Sequence, residues 1–131
     1  MDTIESKFAF VLLISSVLFL FVLVFKVSAQ TVEEVKKELR ETIALYIIAV
    51  AEEKGVDAEK ALSVARCESG LNFWEINHTP KEYSVGIFQI NTKVHDVTIA
   101  EAKNPVFNVD WAMTHLEKGS WWMWKNCLEM V

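Results

Sequence analysis

Phe8 to Phe25 runs for eighteen residues without a charged side chain and consists almost wholly of Phe, Leu, Val and Ile. Its apolar side chains surround the helix on every side, which tells against a core helix of a small domain. The run stands at the lower edge of membrane-span length and is long for the core of a signal peptide. Lys26-Val27-Ser28-Ala29 follows as a cleavage-like pattern of small residues. Ahead of the run, Asp2 and Glu5 stand against Lys7, so the usual positive flank is missing. Residues 1–29 therefore read as a cleaved signal peptide or a retained membrane anchor, and both alternatives stay open. Residues 30–131 remain for one domain outside the cytoplasm.

Those 102 residues keep the chain's net charge of −5, because the acidic and basic residues of the leader cancel. An acidic domain is a poor partner for a nucleic-acid backbone, so none is expected. Cys67 and Cys127 are the only cysteines. With the scattered His78, His95 and His115 they match no metal-ligand spacing, so neither metal nor cofactor is expected. In an exported domain, two cysteines suggest one disulfide, Cys67 to Cys127.

Apolar residues at Val32, Val35, Leu39, Ile43, Tyr46, Ile47 and Val50 have helical spacing and predict a helix over 31–54. Leu45 to Val50 is apolar nearly all round, which predicts a central position for that end. Gly55 gives the stop, and Asp57 is the expected N-cap of a second helix, from Ala58 to about Cys67. From Ser69 to Thr98 the helical period is lost. Asn72, Asn77, Pro80, Ser84, Gly86 and Asn91 punctuate a loop with short strands at most, near Ile87 to Ile90. Asn104-Pro105 then marks a helix start, with a stripe of Val106, Val109, Ala112, Met113 and Leu116 ended by Gly119. The tail is aromatic and short.

In the second helix Ala58, Ala61, Leu62, Val64 and Ala65 form the inward face, and Glu68 follows Val64 by one helical turn. That spacing carries a carboxyl group onto the buried side of a helix end. Desolvation there raises its pKa, as a general acid near neutral pH requires. An ordinary surface glutamate at a frayed end is the plainer alternative. Further on, Gly86 permits a sharp turn or the close approach of a ligand ring. Gln89 offers two donors and an acceptor, suited to a substrate amide, and Ser84 is placed to bind an N-acetyl group.

Three ordered blocks resemble one known group. Cys67-Glu68-Ser69-Gly70-Leu71-Asn72 is similar to the Glu-Ser-Gly-x-Asn segment of the soluble lytic transglycosylase and goose-type lysozyme group. Tyr83-Ser84-Val85-Gly86-Ile87-Phe88-Gln89-Ile90-Asn91 is similar to its Ser-x-Gly-Leu-Met-Gln-Ile segment, with Ile-Phe in place of Leu-Met. Asn104-Pro105-Val106-Phe107-Asn108-Val109 with Ala112 resembles a helix of the group and reads as structural. The resemblance these ordered blocks carry runs over roughly residues 39–127, nearly the whole of the domain 30–131.

The resemblance implies a mainly α, lysozyme-like fold with a small irregular β element. It implies a peptidoglycan strand as partner, a monomer, and Glu68 as catalytic acid. Ser69, Tyr83, Ser84, Gly86, Gln89 and Asn91 then become candidate substrate-binding residues. Glycoside cleavage ordinarily uses two carboxylates. Glu75, Glu82 and Asp96 stand in no recognisable motif, so the expected reaction is that of a lytic transglycosylase. Glu68 serves first as acid and then as base, and the substrate's own C6 hydroxyl closes a 1,6-anhydro ring. Hydrolysis, with Glu82 or Asp96 positioning water, is the alternative within the fold. A non-catalytic glycan-binding module and a membrane-anchored interaction protein are the alternatives outside enzymology. Trp111 reads as core. Of Trp74, Trp121, Trp122 and Trp124, one or two are expected to line a groove. His78 and His95 read as solvated loop residues.

Overall fold

The computed structural model describes residues 2–130, with side chains from 14 onward except at 27–30. The cleavage-like side chains of Val27 and Ala29, and those of Asp2, Glu5 and Lys7, thus lie outside the described residues. The chain is mainly helical, with a small three-stranded antiparallel sheet and an apolar N-terminal helix.

Helix α1 spans Asp2–Glu53. Two helical segments are expected from the sequence, yet α1 is continuous. The physical reason is composition: the first glycine of the chain is Gly55 and the first proline Pro80, so nothing breaks the backbone earlier. Its N-terminal part is long and apolar enough to cross a membrane.

The chain divides into two compact units, one up to Glu38 and one from Leu39. The second unit holds the end of α1, α2 (Ala58–Ser69), β1 (Ile76–His78), β2 (Tyr83–Val85) and β3 (Ile90–Asn91). It continues with α3 (Ile99–Lys103), α4 (Pro105–Glu117), a 3-10 turn over Trp121–Trp124 and α5 (Lys125–Leu128). Only one face of α1 enters the core: Ile43, Ile47, Val50 and Ala51 are buried, whereas Leu45 is 68% exposed. The end of α1 thus enters the main core, as its apolar run predicts, through one stripe and not on every side.

Asp57 caps α2, its carboxylate accepting from the Lys60 backbone N–H at 3.0 Å. Gly70, at φ +62, closes the helix in the left-handed conformation, with its N–H donating to the Arg66 carbonyl. The strands pair in the order β1-β2-β3, with Ile76 opposite Val85 and Val85 opposite Ile90. Residues 86–89 form the turn between β2 and β3, so the strand expected near Ile87 begins at Ile90. Asn104 caps α4 through the Val106 and Phe107 N–H groups, with Pro105 at the first helical position. Helix α3 answers to no element read from the sequence. Thr98 and Glu101 build a reciprocal capping box at its start.

The main core packs Ile47 of α1 and Val64 and Ala65 of α2 with Ile87, Phe88 and Met113. A smaller cluster of Val85, Ile90, Val97 and Ala102 lies between the sheet and α3. Within α4 the expected stripe needs one correction. Val106 is 57% exposed, and Asn108 is buried completely. Asn108 Oδ1 accepts from the Phe88 backbone N–H at 2.8 Å, while its Nδ2 donates to Ala102 O at 2.8 Å and Val85 O at 3.1 Å. An apolar side chain there would strand three backbone groups, which is why the helical period fails at this position.

Cys67 and Cys127 are joined by a disulfide, which ties the end of α2 to α5 across a sequence separation of 60. Alkylation of unreduced protein should add no mass at either cysteine, and two added labels would disprove the bond. Reduction should lower stability by about 4 kcal/mol in the chain-entropy view. Asn108→Ala should cost about 3 kcal/mol or more in denaturant unfolding, since buried groups lose their partners. A loss below about 1 kcal/mol would show that water replaces the amide.

Candidate functional site

Glu68 occupies the last turn of α2, between two anchored neighbours. Cys67 is bonded to Cys127. Ser69 Oγ donates to the Ile87 carbonyl at 2.8 Å and accepts from the Asn72 N–H at 3.2 Å. The backbone that carries the acid is thus pinned covalently on one side and to the 86–89 turn on the other. The Glu68 carboxyl itself makes no hydrogen bond or ion pair among the described residues. It opens on a cleft of about 520 Å³, within the usual range of small-ligand sites.

Burial is the main cause that pushes the Glu68 pKa above the ordinary glutamate range, and the neighbouring Glu82 carboxylate adds to it. Glu82 also lines the cleft, and its Oε1 accepts from the Ser84 hydroxyl. The sequence alternatives for a second carboxylate separate here. Glu82 reaches the cleft, whereas Glu75 and Asp96 are not among its walls. Glu75 instead accepts from Asn72 Nδ2 at 2.8 Å.

Among the expected binding residues, Ser84, Gln89 and Asn91 line the cleft with Glu68, and Ser69, Gly86 and Tyr83 do not. Gln89 has little hydrogen-bonding capacity left. Its Nε2 donates to Gly86 O at 2.9 Å and Glu75 O at 3.3 Å, and its Oε1 accepts from Asn77 at 2.7 Å. Asn91 Oδ1 accepts from the Tyr83 and Lys93 N–H groups. Gly86, at φ +82, meets the chain itself. A Cβ there would lie 2.4 Å from both Ala102 O and Asn108 Nδ2. The close approach that requires glycine is therefore that of α3 and Asn108. Tyr83 packs against the smaller core cluster, its ring 5.1 Å from that of His78.

The aromatic wall is only partly the expected one. Trp122, 74% exposed, stands at the cleft. Trp124 is buried, and its indole N–H donates to Phe88 O at 2.8 Å. Trp111, expected in the core, is half-buried and also lines the cleft. Trp121 lies under the Lys60 ammonium at 4.3 Å, and Trp74 packs edge-on against Phe73, both away from the cleft walls.

Glu82, named in the sequence only as one of two carboxylates for the hydrolytic alternative, and His95, read as a solvated loop residue, both line the cleft. His95 sits edge-on to Trp111 at 4.9 Å, and Trp111 stacks on His115 at 3.9 Å. Burial, and then the nearby His115, hold the His95 pKa below its ordinary value. Helical spacing joins Trp111 to His115 on α4, but His95 is too far from both in sequence for periodicity to join it to them. Among the described residues, no group of three or more His, Cys, Asp or Glu is arranged to hold a metal ion.

A scan against protein-family models finds no match, and searches of curated proteins and of solved structures return no significant match.

The raised Glu68 pKa has a consequence for stability. The folded protein holds this proton more tightly than the unfolded chain does. Stability from this group is therefore greatest below the unfolded pKa and falls as pH rises through the folded pKa. Glu68→Gln should accordingly raise the melting temperature at neutral pH, and the gain should vanish in acid below the ordinary glutamate range. Melting curves of both proteins across pH provide the check. An equal or lower melting temperature for Glu68→Gln at neutral pH would contradict the buried-acid arrangement.

Proposed function

We propose that this chain is a peptidoglycan-cleaving enzyme of the lytic transglycosylase kind, acting outside the cytoplasm on the β-1,4 bond between muramic acid and glucosamine units. The observation that carries this reading is Glu68. A carboxyl with a raised pKa, unpartnered among the described residues, faces a cleft with indole rings in its wall. The first two sequence blocks that resemble the transglycosylase and lysozyme group supply residues to that cleft, and the third supports its turn through Asn108. The disulfide fits an oxidising compartment, and the apolar helix fits an anchor or an export signal.

In the proposed reaction Glu68 gives its proton to the glycosidic oxygen as the bond to the anomeric carbon breaks. The leaving sugar departs with a free hydroxyl. The Glu68 carboxylate then takes the proton of the muramic acid C6 hydroxyl, and that oxygen bonds to the anomeric carbon to close the 1,6-anhydro ring. Protons balance, Glu68 returns to its starting state, and water is not consumed. Trp111 and Trp122 offer apolar faces that match the C–H face of a pyranose ring.

Hydrolysis is the second reading, and one observation favours it: Glu82 shares the cleft with Glu68. In that reading Glu82 orients a water or attacks the anomeric carbon. Under the first reading its work is to keep Glu68 protonated, held in place by Ser84.

Glu68→Gln should lower cleavage of purified cell walls by at least about 10²–10⁴-fold, because one group loses both proton-transfer roles. Glu82→Gln separates the readings. Under the transglycosylase reading it should retain substantial activity, with the alkaline limb of the pH profile shifted to lower pH, because Glu68 loses the charge that helps to keep it protonated. Loss as deep as that of Glu68→Gln would transfer the assignment to a two-carboxylate hydrolase. Product masses decide independently: 1,6-anhydro ends support the first reading, and reducing ends on all fragments support the second.

A further inference from the structure

We propose that Lys93 is a positioning residue: its ammonium clamps the connection between β1 and β2 to the chain just after β3, and so holds the Glu82 carboxylate in the cleft that Glu68 faces. The inference rests on the glycan-cleaving reading for its use, and adds what sets the neighbour of the acid in place.

Glu82 ends the connection 79–82 between β1 and β2. Two backbone bonds close that connection on itself: the Thr79 N–H donates to Glu82 O at 2.9 Å, and the Glu82 N–H donates to Thr79 O at 3.2 Å. Neither bond attaches it to the rest of the domain. Residues 79–82 are all exposed, so no buried side chain roots them. The attachment comes from Lys93, whose Nζ donates to Thr79 O and Pro80 O, both at 3.0 Å. Bonds from a charged donor are the stronger kind. Lys93 starts from fixed backbone. Its N–H donates to Asn91 Oδ1 at 3.1 Å. Thr92, just before it, donates to Tyr83 O through its N–H at 2.9 Å and its hydroxyl at 3.1 Å. Among the described residues Lys93 joins no ion pair, so the two carbonyls are its partners.

What the clamp holds matters to the acid. The titratable side chains among the cleft walls are Glu68, Glu82 and His95. After burial, the Glu82 carboxylate is the cause that pushes the Glu68 pKa up. Yet an exposed glutamate gains nothing by staying near another carboxyl. Once both ionise they repel, and water solvates either one better alone. The buried Ser84 hydroxyl fixes the direction of the Glu82 side chain. That bond cannot hold the backbone from which the side chain starts. Lys93 supplies the second restraint, at the other end of the connection.

The test uses the full chain in detergent with isotope-labelled glutamate carboxyl carbons, so that Glu68 titrates in an NMR spectrum without substrate. Lys93→Met keeps the stem and removes the charge and its donors. The Glu68 titration should move to lower pH, in the direction of the Glu82→Gln shift and no further than it. The sign separates positioning from a direct charge effect, since losing a cation that acts on Glu68 itself would move the titration to higher pH. In the Glu82→Gln background Lys93→Met should add nothing, whereas a general loosening of the cleft would lower the titration there too. Lys93→Arg keeps a cation with several donors and should restore most of the wild-type titration. The alkaline limb of kcat/KM on cell walls should follow the same pattern. A Glu68 titration at or above the wild-type pH in Lys93→Met would overturn the proposal, and so would an equal fall in the Glu82→Gln background. Should Lys93→Met fail to fold, Lys93→Gln, uncharged and one atom shorter, takes its place with the same expectations. Wild-type protein that leaves cell walls uncut would remove the glycan reading alone, because the titration needs no substrate and decides the clamp separately.

Discussion

Asn108 holds the cleft floor in place. Its amide is buried completely, and it spends that burial on three backbone groups from two separate segments: Val85 and Phe88 at the turn, and Ala102 at the end of α3. A tight turn inside a small domain faces a polar-group problem, because its N–H and C=O groups cannot reach water. Here partners come from all round the fold. Glu75 O takes the Gly86 N–H, Ser69 donates to Ile87 O, and Trp124 donates to Phe88 O. The turn is thereby tied to α2, α4 and the C-terminal segment together. The same contact dictates Gly86, whose missing Cβ is the space that Asn108 and the α3 carbonyl occupy.

Glu68 is held by that network at one remove. Ser69, next to it, is bound to the turn, and Cys67, on its other side, is bound to α5. A carboxyl in the last turn of a helix also faces the negative end of the helix dipole, which disfavours its charged form. Burial, the Glu82 carboxylate and the helix end therefore act in the same direction, toward the protonated acid. Each of these conditions costs stability once the group ionises. The disulfide and the Ser69 bridge anchor the helix end on both sides of Glu68, so the fold tolerates an acid in an unfavourable place. This is a general pattern: a reactive group in an unfavourable environment persists because its surroundings over-determine it.

What the sequence revealed and what it concealed divide along one line. Caps and helix faces depend on neighbours in sequence, so Asp57, the Asn104-Pro105 start and the buried side of α2 were legible. Glu68 was legible for the same reason, as a position one turn beyond Val64. Helix α3 was missed although Thr98 and Glu101 carry its capping box, because a helix of five residues shows no apolar period. Asn108 was hidden behind periodicity, since Val106 suits the stripe by type while the buried position falls two residues later. His95 was hidden because its place depends on Trp111 and His115, which packing alone brings to it.

Gln89 shows why a motif residue and a ligand contact are separate inferences. A glutamine beside a catalytic acid suggests an amide reader, and the side chain does reach the cleft wall. Yet its backbone stands at φ +50, an uncommon conformation for a residue with a Cβ, and its amide bonds two nearby backbone carbonyls. Those bonds offset the strain of the turn and bring a second donor to two carbonyls that each accept one backbone N–H already. A glutamate would replace the two donations with repulsion, and an alanine would leave the carbonyls without them. The residue type at position 89 is therefore explained by the turn alone, before any ligand is considered. The same holds for Gly86, Ser69 and Asn108, whose polar or steric requirements are met inside the protein. What the turn leaves unexplained is an acid unpartnered among the described residues, a second carboxylate beside it and an imidazole braced by Trp111 along one cleft, the groups that a substrate of the proposed enzyme would meet.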